Sequence, residues 1–427
     1  MSNWKYEKLS KLCYRIGDGL HGTPEYSARS DVYFINGNNL KNGKIEITEN
    51  TKKVTSEELL KNFIQLDNNS LLLSINGTLG SMAFFKNEKV MLGKSAAYLN
   101  FKTEINKFYY YYFQLPSVQE HFHNVATGST IKNLSLKSIQ DFEVPVPEFN
   151  VWKNISKILS SLDAKIEINN RINSELEAMA KTLYDYWFVQ FDFPHVTSSG
   201  VEKPYKSSGG KMVWNEGLKR EIPEGWENGV LSDIANITMG QSPPGESYNE
   251  EGDGMIFYQG CTDFGNRYPT IRKFTTSPTR FAKKGDILLS VRAPVGTLNI
   301  SKEDCCIGRG LACMNSNNDV ITYLFGVMLN LKQTFDRRNA SGTTFGSITK
   351  DDLFSLPVII PNEKTVRAFQ NLVFPAFEKQ NKIELENIEL ASLRDWLLPM
   401  LMNGQVIVGN VEEQLGMVAE ESARYVK

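Results

Sequence analysis

Three short stretches have residue types and spacings that could do phosphate or adenine chemistry. Residues 17–22 read GDGLHG, the GxGxxG spacing with which a turn brings its backbone against a pyrophosphate. That chemistry needs a strand before the turn and a helix opening at its end, yet Pro24 follows at once without a helical period. Gly93, Lys94 and Ser95 resemble the end of a triphosphate-binding loop, but the glycine required five residues earlier is Glu88. Ser242-Pro243-Pro244-Gly245 approaches the motif that holds an adenine amino group for N6 methylation, with Gly245 where an aromatic ring is needed. There is no FxGxG cofactor loop and no Pro-Asp dipeptide to begin a nuclease site. No catalytic residues, and no cofactor bound by this chain, are expected.

Metal chemistry is expected to be absent too. Cys13, Cys261, Cys305, Cys306 and Cys313 form an odd set without CxxC spacing, beside only 4 histidines. They read as reduced core or loop residues. His121 and His123 flank Phe122 with no acidic or sulfur partner repeating around them, so a surface or core role is expected.

What remains is polar residues that occur twice. LLLSINGTLG from Leu71 is answered by ILLSVRAPVG from Ile287, and ATGSTIKNLS from Ala126 by ASGTTFGSIT from Ala340. Trp4, Leu9 and Ser10 align with Trp226, Leu231 and Ser232, and ELEAMAKTL from Glu175 with ELASLRDWL from Glu389. The second copy follows the first by 214 to 223 residues. Two similar modules suit a target with two similar parts, and duplex DNA is the leading candidate.

On such a target, residues kept between copies should hold backbone or fold, and residues that differ should read sequence. Lys94 and Arg309 keep a positive charge in matching loops, as phosphate contacts or as solvated cations. Gly128-Ser129-Thr130 and Gly342-Thr343-Thr344 keep small hydroxyl residues, which suit phosphate oxygens or a tight capped turn equally. Asn76 stands where the second copy has Arg292; an amide suits the adenine edge and a guanidinium the guanine edge. Asn36 and Gln259 form a second amide pair beside Gly37 and Gly260. Asn38, Thr78, Lys132, Gln241, Ser242 and Thr262 complete the candidate DNA-binding set.

These loops require elements to position them. Short apolar runs broken by Gly, Asn and Pro predict strands from Trp4 to about Glu148, with a helix at Lys107 to Asn124 whose partner is Ile321 to Arg337. The tyrosine run at 109–112 reads as core rather than a base-stacking platform, because Tyr109 and Tyr111 align with Tyr323 and Phe325. VPVPE at Val144 and LPVIIP at Leu356 close the two units as extended segments.

After Pro147 the period becomes 3.6, with Ile155, Ile158, Leu159, Leu162, Ile166, Ile172, Leu176, Met179 and Leu183 on one side. Ser160, Ser161 and Asp163 predict a short helix, a kink, and a long helix from about Asp163 to Val189. In the second copy Pro375 predicts a break and Pro399 an end near Leu398. Asn169 and Asn173 occupy seam positions where polar groups fix register. A helix of about 27 residues extends about 40 Å, against about 34 Å for one turn of DNA. The spacer would then act as a ruler between two readers.

The expected class is α+β: two repeated mixed α/β domains, each with a mostly antiparallel twisted sheet. Two long helical spacers forming an antiparallel coiled coil, in a pseudo-twofold arrangement, would separate them. The expected boundaries are a first domain at 1–149, helix at 150–191, linker at 192–222, second domain at 223–361, helix at 362–404 and tail at 405–427. At 427 residues with net charge −2, any surface for nucleic acid must be local. The first residues show no export signal and the most apolar stretch is too short to span a bilayer, so a cytoplasmic location without membrane partners is expected.

Taken together, SLDAKIEINNRINSELEAMAKTLYDYWFVQFDFP from Ser161, GGKMVWNEGLKREIPEGW from Gly209, GQSPPG from Gly240 and the LLLSINGTLG pair carry a resemblance. Over nearly its full length the chain resembles the specificity subunit of a type I restriction-modification system. The resemblance implies two target-recognition domains, each binding one half of a split, asymmetric double-stranded DNA site. It also implies two modification subunits that use S-adenosylmethionine to methylate adenine, and two restriction subunits that use ATP and magnesium to translocate and cleave. Ile166, Ile172, Leu176, Met179, Leu183, Ile383, Leu390, Leu393 and Leu397 are the expected subunit-interface residues. A scaffold that binds partners but no longer reads DNA is the rival reading; a fused enzyme is disfavoured by the missing motifs.

Overall fold

The structure is a computed structural model that describes residues 4–128, 132–197, 199–340 and 347–406. It divides into two compact units, one of residues 1–166 with 389–427 and one of residues 167–388.

In the first unit a four-stranded antiparallel sheet runs in the order Cys13–Asp18, Ala96–Phe101, Ser70–Ser74, Met82–Phe84. Leu71, Leu72 and Leu73 are all fully buried, because a central strand covered on both faces needs an apolar run rather than an alternation. Leu71 and Leu73 face the main core with Phe101, Phe108 and Tyr109, while Leu72 faces a second cluster with Ile35, Leu40 and Tyr98. A smaller sheet pairs Val32–Ile35 antiparallel with Lys53–Val54 and parallel with Val90–Leu92.

The second unit repeats this plan. Ala235–Met239, Leu311–Ser316, Ile287–Ser290 and Leu298–Ile300 form the same four-stranded order. Ile287 and Leu289 face one core and Leu288 the other. Its smaller sheet again contains one parallel pair, Met255–Tyr258 with Cys305–Ile307. Each proline-bounded segment pairs with its unit's entry strand: Glu143–Val146 with Lys5–Lys8, and Pro357–Ile360 with Glu227–Val230. Tyr109 donates its hydroxyl to the Pro145 carbonyl (3.0 Å) and Tyr323 donates to that of Ile359 (2.5 Å), so the aligned tyrosines are core residues bonded to the closing strand.

Several expectations are corrected. The helix expected at Lys107 to Asn124 is two, Asn106–Tyr112 and Pro116–Val125, divided where Pro116 can open a helix but not continue one. Its counterpart Ile321–Ala340 has no proline and runs unbroken. The first long helix is continuous over Phe149–Tyr184 and ends in a π-turn at Asp185–Val189. The helix is not interrupted at Ser160 and Ser161, whose hydroxyls donate back to the carbonyls of Lys157 and Ile158 instead of capping a new start. Asp163 is likewise no cap; its carboxylate accepts from Tyr111 (2.7 Å) and Arg394 (2.8 Å).

The second long helix spans Glu363–Met402, through both Pro375 and Pro399. Pro375 removes one ladder bond, but buried Phe369, Val373 and Phe377 hold the turns on either side against the core. Pro399 still accepts through its carbonyl, from Asn403 N at 2.9 Å. Pro375→Ala is expected to restore the missing bond and raise unfolding stability by about 1–3 kcal/mol, read as a higher urea midpoint at unchanged slope.

The 192–222 segment is not a bare linker. Pro194–Val196 pairs with Glu202–Pro204, and Met212–Asn215 with Arg220–Pro223. Phe193 stacks between Tyr205 (4.7 Å) and Trp226 (5.0 Å), so scattered aromatics tie a polar stretch to the core. The residues after Val406 lie outside the described ones.

Within the second unit, Asn169, Gln380, Glu384 and Asn387 are buried together between the long helices. Asn169 Nδ2 donates to Glu386 Oε2 (2.8 Å) and Asn387 Oδ1 (2.9 Å), Asn387 Nδ2 to Asn170 Oδ1 (2.9 Å), and Gln380 Nε2 to the Asn173 carbonyl (3.0 Å). Pairing 169 with 387 and 173 with 380 sets the helices in opposite chain directions. Within the first unit Trp152, Ile155 and Leu159 share a core with Leu398, Leu401 and Met402. Among the described residues no helix is long and apolar enough to cross a membrane.

Candidate nucleic-acid interface

Both units build their polar loops on one hydrogen-bond frame. In the first, Ile75 N donates to the Ser95 carbonyl (3.0 Å), Gly93 N to that of Ile35 (2.8 Å), and Leu134 N to that of Ile75 (2.9 Å). In the second, Val291 N donates to Gly310 (2.9 Å), Gly308 N to Tyr258 (2.8 Å), and Ile348 N to Val291 (2.8 Å). Buried Ser74 and Ser290 fold the next turn, accepting through their carbonyls from Gly80 N and Gly296 N, both at 2.9 Å. Both glycines are left-handed, with φ of 85° and 92°. A Cβ would strain each and meet Gln119 in one and Phe335 in the other.

On this frame the first unit brings Asn36, Ser95 and the Asn76 carbonyl around Gly37. Asn36 Oδ1 accepts from Ser95 Oγ (2.9 Å), and the same hydroxyl accepts from Gly37 N (2.9 Å). Asn36 therefore spends its oxygen on the fold, which its position alone did not reveal. Asn76 is half-buried and bridged to Asn133, while Thr78 is exposed with its hydroxyl 3.0 Å from that of Ser74. Lys94, Asn38 and Lys132 are exposed. Asn36 and Asn38 line a cleft of about 360 Å³ with Tyr26, Asn50, Thr51 and Lys52.

In the second unit Ser242, Gln259, Thr262, Arg292 and Arg309 line a single cleft of about 260 Å³. Gln259, Thr262, Arg292 and Arg309 are exposed. Arg309 is steered by Ser242, whose Oγ accepts from its backbone N (3.3 Å) and Nε (3.4 Å). Gln241 is exposed beside it, with its backbone amide donating to Ile307 (3.0 Å) and its carbonyl accepting from Thr279. Ser129, Thr130, Thr343 and Thr344 lie outside the described residues.

Sequence reasoning missed other cleft residues: Asp263, Arg272 and Lys273 in the second unit, Thr51 and Lys52 in the first. Lys52 Nζ lies 4.5 Å from the Tyr26 ring centre. The available signal was the shared lysine. Phe34 N donates to the Lys52 carbonyl and Phe257 N to that of Lys273, each at 2.8 Å, which aligns the two segments across a weakly similar stretch.

Among the expected interface residues, Ile383 is buried and Ile166, Ile172, Leu176, Leu183, Leu390 and Leu397 are half-buried. Met179 and Leu393 are exposed, as are Ile168, Leu372, Leu385, Ile388 and Trp396 on the same helices. No group of three or more His, Cys, Asp or Glu suited to a metal occurs among the described residues. His121 stacks on Phe142 with ring centres 4.7 Å apart.

A family profile described as "Type I restriction modification DNA specificity domain" matches residues 1–178 and 223–390. A Methanocaldococcus jannaschii protein, provisionally named the type I restriction enzyme MjaX specificity subunit, is 31% identical over 316 residues, 72% of this chain and 70% of that protein. The type I restriction enzyme HindI specificity subunit of Haemophilus influenzae is 23% identical over 475 residues, covering 95% of this chain and 100% of that one. In fold, the chain is similar to the type I restriction-modification S subunit from M. genitalium, with a TM-score of 0.57 at 18% identity, over 93% of this chain and 96% of that one.

Proposed function

This chain belongs to the type I restriction-modification DNA specificity family, with two specificity domains, and we propose that each domain reads one half of a split, asymmetric double-stranded DNA site. Specificity subunits are the non-catalytic members of their complexes, so the chemistry belongs to partners. Two modification subunits would use S-adenosylmethionine to methylate adenine, and two restriction subunits would use ATP and magnesium. The observation that carries the reading is one backbone frame built twice and fitted with different polar side chains, Asn76 against Arg292 and Asn36 against Gln259. That is the division expected of a protein that grips one backbone and reads two sequences.

In this reading residues 1–149 and 223–361 are the recognition domains, and the long helices near 150–191 and 362–404 form an antiparallel coiled coil in a pseudo-twofold arrangement. Their length sets the number of unspecified bases between the half-sites. The exposed apolar residues Met179, Leu393 and Trp396 support a partner-docking role for these helices.

The deciding experiment is methylome sequencing of cells that express the chain with its modification subunit, against cells that lack it. A new bipartite N6-methyladenine motif is expected. A stable complex on a sizing column that yields no motif would favour a scaffold without DNA reading.

Arg292→Ala is expected to relax one position of the second half-site, with discrimination there falling about 5- to 150-fold. Lys94→Ala should instead weaken binding to all sequences alike and lower the salt dependence by about one unit of slope. Competition binding with singly substituted duplexes, repeated at two salt concentrations, separates the two behaviours.

A further inference from the structure

The two clefts differ most where both were least legible. The matched bonds to Lys52 and Lys273 place Thr51 of the first unit opposite Arg272 of the second. A second matched pair, Glu46 N to the Asn39 carbonyl and Thr270 N to that of Asp263, each at 2.7 Å, places Asn39 opposite Asp263. In the first unit both side chains are spent locally. Asn39 Oδ1 accepts from Asn36 N (2.9 Å), its Nδ2 donates to the Glu46 carbonyl (3.0 Å), and Thr51 Oγ1 accepts from Thr48 N (2.8 Å). In the second unit the same two positions form an ion pair, Arg272 Nη2 to Asp263 Oδ1 at 2.8 Å.

The pair is asymmetric in exposure: the Asp263 side chain is 9% exposed and that of Arg272 is 52% exposed. An aspartate covered in this way is a poor direct reader of a base, but it is a good brace. Arginine loses much rotamer freedom when it binds, and a guanidinium already held at one nitrogen loses less. Its remaining donors keep the planar fork that fits the O6 and N7 acceptors of guanine, which no other base presents together in the major groove. Arg309, by contrast, is held to Ser242 by long bonds in the loop whose charge both units keep, which suits a phosphate.

Resting on the recognition reading above, we propose that Arg272, braced by Asp263, reads a guanine in the half-site of the second domain, at a position for which the first domain has no equivalent reader. Asp263 is a positioning residue in this scheme, and Arg272 makes the contact.

The test uses the complex of the full chain with its modification subunits. Once the methylome has given the motif, the modified site is rebuilt with each base in turn, and with 7-deazaguanine, at every guanine of the second half. With the wild-type complex one guanine is expected to lose about 5- to 150-fold in affinity when replaced, and part of that when only N7 is removed. Arg272→Ala should make that one position degenerate and abolish the 7-deazaguanine effect, leaving the first half unchanged. Asp263→Asn should give a smaller loss at the same position.

An Arg272→Ala loss equal for all bases, with a shallower salt dependence, would make Arg272 a phosphate contact and overturn the proposal. So would an unchanged second half-site, or a second half without a guanine. If Arg272→Ala fails to assemble, the 7-deazaguanine scan together with Asp263→Asn decides. Absence of any bipartite motif with the wild-type chain would instead remove the recognition reading itself.

Discussion

Exchange of the first recognition domain for that of a relative with a different site replaces one half of the methylated motif entirely and leaves the other half as it was. The expectation follows from where the contacts lie. The frame that presents Asn76 and Lys94 is closed by bonds among residues 35, 75, 93, 95 and 134, so a graft of residues 1–149 carries it whole. The join needs care, because Trp152, Ile155 and Leu159 of the first long helix and Leu398, Leu401 and Met402 of the second belong to the same core as Phe108, Tyr109 and Phe122. A donor whose residues at these contacts differ in volume would lose a few kcal/mol through cavities or overpacking. Such a chimaera could be poorly soluble while its reading loops are intact. The check is the methylome of cells carrying the chimaera; a motif altered in both halves would mean that the domains do not read independently.

Much of this plan was legible in the sequence because the repeat doubles the signal. A short buried apolar run such as Leu71-Leu72-Leu73 cannot be told from a buried helix by periodicity alone. Its twin at 287–290, followed by a turn that differs at Asn76 and Arg292 but keeps the glycine at 80 and 296, settles the matter. The same doubling identified the tyrosine run as core by aligning Tyr109 with Tyr323 and Tyr111 with Phe325, and both aligned tyrosine hydroxyls bond to the closing strand. Expectations failed where a local rule met a tertiary contact. Prolines at 375 and 399 are helix breakers by propensity, yet the buried face on either side holds the helix through them. Serines at 160 and 161 can cap a helix or bond back within one, and sequence does not say which. The Arg272 and Asp263 pair went unseen because the segments that carry them share little beyond one lysine, and only backbone bonds bring them into register.

Asp163→Ala is expected to be the most destabilising change to a hydrogen-bonded polar side chain of the first long helix within the first unit. The carboxylate has two obligations inside the first unit: Tyr111 donates to Oδ2 at 2.7 Å and Arg394 to Oδ1 at 2.8 Å. Tyr111 is only 3% exposed, so without Asp163 its hydroxyl is buried with no acceptor. Arg394 is less affected, because it keeps a second bond to Asp395 at 2.8 Å. An orphaned hydroxyl and a half-lost, half-buried ion pair together suggest about 2–4 kcal/mol, or roughly 5–10 °C in Tm for a unit of this size. Asp163→Asn should cost less, since an amide oxygen still accepts from Tyr111 but no longer balances Arg394. In a Tyr111→Phe background the cost of Asp163→Ala should shrink, because the hydroxyl that needed an acceptor is gone. Burial first, and then Asp163, hold the Tyr111 phenol protonated well above its ordinary value of 10.0. The unfolded chain therefore releases that proton first, so stability is full below about pH 10 and falls as pH rises beyond it. Urea unfolding of the four variants at pH 7.5 and pH 10.5 tests all of this at once. Equal losses from Asp163→Ala with and without Tyr111→Phe would show that the hydroxyl is not what the carboxylate holds.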